Sequence, residues 1–166
     1  MDKEGYLQLV LQQGVTRHNA KKKEQTASCN KYPQGYFKEK PCRICGKNFT
    51  PKAPSEHYCS DWCKDYAIVN AYYKRKYNIS LKDYLDIAEH QNFVCAICNK
   101  ENFAMNECHS GVLVVDHNHK TGEVRGLLCH NCNRALGLLK DNKESIQNCL
   151  SYLERVTTIP KGSTLK

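Results

Sequence analysis

Residues 115–119 of the chain read VDHNH, and residues 129–133 read CHNCN. An Asp oxygen and an Asn oxygen make a hard, incomplete set of metal ligands. Such a set suits Mg²⁺, because this ion keeps several waters and accepts phosphate oxygens. A neutral imidazole beside the ion can take a proton from water at about pH 7. Asp116, His117 and Asn133 together therefore predict a site that hydrolyses phosphodiester bonds.

Short elements around these residues are predicted to bring them together. A Val-rich run is typical of a strand, and it is followed by a polar turn, a second strand and a helix. These elements cover residues 111–115, 120–123, 124–128 and 133–141. On an extended chain Asp116 and His117 point to opposite faces, whereas His117 and His119 can share one. Asn133 falls in the first turn of the helix.

Four cysteines flank the predicted hairpin as two CxxC turns. Pairs at this separation are a strong signal for a tetrahedral zinc site with four thiolate ligands, here Cys95, Cys98, Cys129 and Cys132. Zinc at this point would fix the start of the following helix, and with it Asn133, against the end of the first strand. Just upstream, Ser80 and Asp83 form a capping box that predicts a helix over residues 80–91.

A second set of four cysteines, spaced CxxC and then CxxxC, lies nearer the N-terminus at Cys42, Cys45, Cys59 and Cys63. We interpret it as another zinc site rather than as disulfides, because the N-terminal stretch YLQLVLQQG is too short and too interrupted by Gln for a signal peptide or membrane span. A reducing cytosol is therefore expected. His57 could replace one thiolate, but the four-cysteine set is preferred. Ser60 is the expected cap of a helix that begins at Asp61. The other cysteines, Cys29, Cys108 and Cys149, are expected to be free thiols.

The charge balance favours a polyanionic partner. The formal net charge is +8 and the pI is about 8.9, which suits a protein that binds nucleic acid. A mean hydropathy of -0.68 also predicts a limited apolar core. Arg125 can pair either with a phosphate or with a nearby carboxylate, and we prefer the phosphate. The candidate contacts to nucleic acid are Lys74, Arg75, Lys76, Arg125 and Arg134.

The combined pattern resembles a known family. The segments NISLKDYLDIAEHQNFVCAICNK and VVDHNHKTGEVRGLLCHNCNRALGLLKDN, within residues 77–155, resemble the phage recombination endonuclease VII group of HNH, or ββα-metal, nucleases. The resemblance implies that Asp116 and Asn133 bind a catalytic Mg²⁺ or Mn²⁺. It further implies that His117 is the general base, that His119 assists at the scissile phosphate, and that Cys95, Cys98, Cys129 and Cys132 hold a structural zinc.

The expected fold is α+β and zinc-stapled. It comprises a basic N-terminal arm, a four-cysteine zinc finger with a basic helix, a ββα-metal nuclease module and a tail, over residues 1–38, 39–77, 78–155 and 156–166. With two structural Zn²⁺ and one catalytic Mg²⁺ or Mn²⁺, we expect a homing or site-preferring endonuclease. It would cut duplex DNA to 5′-phosphate and 3′-hydroxyl ends in the cytosol of a phage-infected bacterium, without a membrane partner. Two alternatives stay open: a resolvase of Holliday junctions or other branched DNA, and a zinc-stapled protein that only binds nucleic acid.

Overall fold

The structure, a computed structural model, describes residues 1–19, 32–33, 36–101 and 111–155. Cys29, Cys108 and the tail from residue 156 lie outside this part of the chain. None of the described helices is long and apolar enough to cross a bilayer. The elements in chain order are α1 (Lys3–Asn19), β1 (Lys40–Pro41), β2 (Asn48–Phe49), α2 (Asp61–Tyr77), α3 (Leu81–His90), β3 (Val114–His117), β4 (Val124–Leu128), α4 (His130–Leu138) and α5 (Lys143–Glu154).

Strands β3 and β4 form the predicted antiparallel hairpin. Asp116 pairs with Gly126 but His117 pairs with Val124, so Arg125 is an extra residue in β4, a β-bulge. A bulge redirects side chains locally, and it often occurs beside a functional site. Strand β3 begins three residues later than expected and contains Asp116 and His117 rather than ending before them.

Helix α3 has the predicted capping box. The Ser80 hydroxyl accepts from the Asp83 N–H at 3.1 Å, and the Asp83 carboxylate accepts from the Ser80 N–H at 2.7 Å. At the other end of the helix, the Gln91 side chain donates to the Leu127 carbonyl and accepts from the Leu127 N–H, both at 2.9 Å. This amide therefore bonds β4 as a neighbouring strand would, and it joins α3 to the hairpin.

Helix α2 begins where the sequence predicts, with Ser60 as its cap. Val69 and Tyr73 are buried on the face that packs against α1 and α3. Its 17 residues span about 25 Å at about 1.5 Å per residue. The helix has Cys63 in its first turn and Tyr77 in its last.

Residues 3–19 differ from the expected basic arm, because they form helix α1 and pack into the core. Tyr6, Val10 and Leu11 are buried in the same cluster as residues of α2, α3, β3 and β4. A methyl group added at Gly14 would collide with the side chain of Val69, so α1 and α2 approach closely there. The apolar core thus crosses the expected boundary between residues 77 and 78.

Three buried groups fix α1 against the segment that leads into β3. The Tyr6 hydroxyl accepts from the Leu113 N–H at 3.0 Å and lies 2.8 Å from the Tyr84 hydroxyl. The Tyr84 hydroxyl donates its one proton to the Leu113 carbonyl at 2.8 Å, so Tyr6 is the donor between the two phenols. This chain of hydrogen bonds leaves both polar groups of Leu113 satisfied away from water.

We predict that Tyr6→Phe lowers the free energy of unfolding by about 1–3 kcal/mol, because the substitution leaves the buried Leu113 N–H without an acceptor. Urea unfolding followed by circular dichroism would measure this loss. Tyr152→Phe is a matched control, since Tyr152 is 69% exposed, and it should change stability by no more than about 0.5 kcal/mol. Equal unfolding midpoints for Tyr6→Phe and the parent would contradict the prediction.

Candidate active site and metal centres

The two predicted cysteine sets each assemble at one point. Within each set the four Sγ atoms lie within 4.8 Å of one another. The separations are 3.4 Å for Cys45 and Cys59, and 3.8 Å for Cys98 and Cys129. Thiolates around a tetrahedral Zn²⁺ at about 2.3 Å would be about 3.8 Å apart, whereas a disulfide bond is only about 2.05 Å long. Both sets could therefore hold zinc, and no disulfide joins the described cysteines.

The electrostatics of the clusters fit a cation. Burial opposes ionisation of Cys95, but the backbone N–H groups of Cys98, Cys129 and Ile97 outweigh this and lower the pKa of Cys95 to about 6. The pKa of Cys42 is likewise lowered to about 6 by backbone N–H groups that outweigh burial. Burial raises the pKa of Cys132, and its neighbouring thiols raise it further. In each cluster one thiol therefore ionises more readily than an ordinary cysteine, which favours a bound cation.

Cys129 connects the cluster of Cys95, Cys98, Cys129 and Cys132 to the candidate catalytic residues. It follows the last residue of β4 and is the N-cap of α4, where its sulfur accepts from the Cys132 N–H at 3.4 Å. Helix α4 therefore begins at His130, three residues earlier than expected. The Asn133 N–H donates to the Cys129 carbonyl at 3.0 Å, which places Asn133 in the first turn of the helix.

An open cleft of about 430 Å³ lies between the hairpin and α4. Three of the four predicted catalytic residues, Asp116, His119 and Asn133, line it. The other lining residues are Arg134, Gly137, Leu138 and Asp141. His117 does not line the cleft but lies next to it, with its ring centroid 4.9 Å from that of His119.

Asp116 is a buried carboxylate with a cationic partner. It is 7% exposed, and Arg125 donates to it twice, through Nε at 2.7 Å and Nη2 at 3.0 Å. The same Nη2 donates to Asp141 at 3.2 Å. The hydrogen bond to Asp116 is the main cause that raises the pKa of Arg125 above its ordinary value. Arg125 thus makes the carboxylate contact that the sequence left open as an alternative. The contact with a phosphate stays a prediction.

The ligands around this cleft have the chemistry of a hard-metal site. Asp116 and Asn133 offer oxygen atoms, and the cleft wall between them is open to solvent. Oxygen ligands, an incomplete set and room for water suit Mg²⁺ or Mn²⁺ better than zinc, which is held by sulfur elsewhere in this chain. The donor set therefore fits a divalent catalytic ion.

The basic end of α2 lies close to His117. The Tyr77 ring meets the His117 ring edge to face with centroids 5.5 Å apart. The Lys76 ammonium lies 4.9 Å from the centroid of the Tyr77 ring, and Lys74 and Arg75 are exposed in the same turn. Among the predicted nucleic-acid contacts, Lys76 thus lies beside the Tyr77 ring that meets His117, and Arg134 lines the cleft itself.

Sequence reasoning missed two residues of the site. Asp141 lines the cleft from the turn after α4, and Tyr77 contacts His117 from α2. Asp141 follows the helix as an ordinary turn residue, and its sequence position carries no chemical signal. Tyr77 is one of several tyrosines on α2, and its sequence position does not distinguish it from the others.

The site is built from a strand, a turn, a second strand and a helix, with a four-cysteine cluster at their junction and Asp, His and Asn on the cleft wall. This arrangement is that of the ββα-metal class of nuclease. The family model described as recombination endonuclease VII matches residues 70–155. The chain belongs to this family. It is therefore an endonuclease, and its substrate is nucleic acid.

Individual relatives come from phages. The chain is 33% identical over 129 residues to the Gene 59 protein of Mycobacterium phage D29, covering 71% of this chain and 75% of that protein. It is 32% identical over 127 residues to the Gene 59 protein of Mycobacterium phage L5, covering 70% and 74%. Among solved structures it is similar to the β-β-α-Me type II restriction endonuclease Hpy99I, with 24% identity, a TM-score of 0.32, and coverage of 71% of this chain and 57% of that chain.

We predict two equivalents of zinc per chain, one for each cysteine cluster. Cys129→Ser should remove one equivalent and unfold the hairpin and α4, because the polar chain has little other means of holding these short elements together. Elemental analysis of the purified protein would count the zinc, and circular dichroism would report the fold.

Cys149→Ser is the matched control for this substitution. Cys149 is exposed and belongs to neither cluster, so this variant should keep both zinc ions and its stability. A Cys129→Ser variant that stays folded with two equivalents of zinc would show that the cluster containing Cys129 is not a zinc site.

Proposed function

We propose that the protein is a divalent-metal-dependent endonuclease that hydrolyses phosphodiester bonds of duplex DNA. In this proposal Asp116 and Asn133 hold Mg²⁺ or Mn²⁺, His117 is the general base, and His119 contacts the scissile phosphate. The observation that carries it is the common cleft: Asp116 comes from β3, His119 from the turn after it and Asn133 from α4, yet all three line it. A protein that only binds nucleic acid has no need for this convergence.

The chemistry follows from the residue types. The bound ion would stabilise the negative charge that builds on the phosphate and on the departing 3′ oxygen. His117 takes a proton from a water molecule, and the water oxygen forms a new bond to phosphorus. The bond between phosphorus and the 3′ oxygen breaks, which leaves a 5′-phosphate and a 3′-hydroxyl. His119 neutralises or orients the phosphate, consistent with its position on the cleft wall.

We assign DNA affinity mainly to residues 39–77 and chemistry to residues 78–155. The contact between Tyr77 and His117 supports this division of roles, since the basic turn with Lys74, Arg75 and Lys76 lies beside the proposed base. Because α1 and α2 share one apolar core with α3 and the hairpin, the two regions are expected to fold together. Arg134 on the cleft wall is a further candidate phosphate contact.

The substrate class has one alternative with support. The family is described as a recombination endonuclease, which favours branched DNA, such as a four-way junction, over an intact duplex. We propose that the protein is a homing or site-preferring nuclease of a phage that acts in the infected host. Comparing the cleavage of a plasmid with that of a four-way junction tests the alternative. Both substrates use the same proposed chemistry.

We predict nicking of supercoiled plasmid in Mg²⁺, none in EDTA, and 5′-phosphate and 3′-hydroxyl ends. His117→Ala should lose about 10²- to 10⁴-fold in rate with DNA binding nearly unchanged, because a general base acts on the transition state. His119→Ala should lose less. Gel assays on a plasmid and on a four-way junction would measure both rates and compare the substrates.

His90→Ala is the control, since His90 is exposed at the end of α3 and does not line the cleft. It should cut at the parent rate. If His117→Ala also cut at the parent rate, the assignment of the base would fail. If EDTA left the activity intact, the metal-dependent mechanism would fail as well.

We predict that neutralising the basic turn weakens DNA binding and makes it less sensitive to salt. The triple variant Lys74→Gln, Arg75→Gln, Lys76→Gln should reduce the slope of log affinity against log salt by about 0.9 for each lost phosphate contact. A control with the same charge change uses the exposed residues Lys47→Gln, Lys82→Gln and Lys143→Gln. Identical slopes for the two variants, measured by fluorescence anisotropy, would remove α2 from the DNA surface.

A further inference from the structure

Arg125 binds the carboxylate of Asp116, which the proposed function makes a ligand of the metal. Its guanidinium hydrogen-bonds both oxygens of Asp116, at 2.7 Å and 3.0 Å. The bulge directs the Arg125 side chain toward Asp116, because Arg125 is the extra residue of β4 opposite Asp116 and His117. A side chain that can neutralise Asp116 from within the protein is therefore built into the hairpin.

A guanidinium and a divalent cation on the same carboxylate repel each other. Asp116 is buried, so water screens its surroundings less than it screens a surface site, although the Arg125 side chain is 39% exposed and the repulsion is reduced there. Binding of the divalent ion therefore weakens the contact between Arg125 and Asp116, and the presence of Arg125 weakens the binding of the ion.

Asp141 provides a second position for the guanidinium. The Asp141 carboxylate already accepts from Nη2 of Arg125 at 3.2 Å. Its side chain is 23% exposed, compared with 9% for that of Asp116. Arg125 can therefore keep its bond to Asp141 at the rim of the cleft while it releases Asp116 in the interior.

We propose that Arg125 is an internal counter-ion that competes with the divalent metal for Asp116, and that Asp141 retains Arg125 in the cleft after the metal displaces it. This inference rests on the proposed function, which makes Asp116 a metal ligand. The displaced guanidinium presents its freed N–H donors in the cleft where a phosphate would lie. Arg125 and Asp141 are thus positioning residues, and they set the metal concentration at which the site fills.

A simpler role for Arg125 makes the opposite prediction. If Arg125 only held the Asp116 carboxylate in the correct orientation for the ion, its removal would weaken metal binding, as loss of a supporting residue normally does. If it competes with the ion, its removal strengthens metal binding. The sign of the change separates the two roles.

The test measures binding of Mn²⁺ alone to the full, zinc-loaded protein without DNA, by electron paramagnetic resonance of free Mn²⁺. Mn²⁺ prefers oxygen ligands and leaves the thiolate sites to zinc, which gives no signal. Arg125→Gln should bind Mn²⁺ at least about 5-fold more tightly than the parent, and Asp141→Asn about 5-fold more weakly, at the lower end of coupling between linked sites. Arg125→Lys keeps the charge and should remain close to the parent.

The double variant Arg125→Gln, Asp141→Asn should resemble Arg125→Gln, because Asp141 acts through Arg125. Weaker Mn²⁺ binding by Arg125→Gln, or a change in the same direction for both single variants, would overturn the proposal. Asp116→Asn separates this proposal from the proposed function: Mn²⁺ binding equal to the parent would show that Asp116 is not a metal ligand at all. Zinc content and circular dichroism confirm that each variant is folded.

Discussion

The relation between the two strands of the hairpin and α4 depends on one sulfur atom. Cys129 directly follows β4 and is the N-cap of α4. Its Sγ atom lies 3.8 Å from that of Cys98 in the same cysteine cluster. Asp116 is paired to β4, and Asn133 stands one turn into α4, so the turn at Cys129 sets their separation. Zinc bound by this cluster would therefore crosslink the elements that define the cleft in which we place the chemistry.

The interior is held as much by polar groups as by apolar ones. Gln91 bonds the backbone of β4 in both directions, and Tyr6 and Tyr84 satisfy Leu113. A mean hydropathy of -0.68 leaves few aliphatic side chains for this purpose. Buried hydrogen bonds of this kind add little net stability each, but their loss is costly, so they fix one arrangement of the short elements.

Local rules predicted most of the fold and the shared cleft. The capping box at Ser80, the cap at Ser60, the hairpin and both cysteine sets depend on neighbouring residues, and each was found as predicted. Helix α1 was missed because its burial depends on partners more than 100 residues away. The bulge at Arg125 was missed for a related reason: the register of a strand is set by its partner, so the pairing of Arg125 with Asp116 cannot be seen along the chain.

The bond between Tyr6 and Leu113 joins residues that are 107 positions apart. On the ribosome α1 emerges before α2, α3 and the segment that leads into β3, so the surface against which it packs is completed late. Its apolar face can pack on α2 and α3 as these emerge, but the Tyr6 hydroxyl gains the Leu113 N–H only with the segment before β3. Such late closure slows folding and leaves surface open to aggregation or to chaperones. The candidate nuclease site lies after that segment in the chain, so it is completed only after α1, α2 and α3 have emerged.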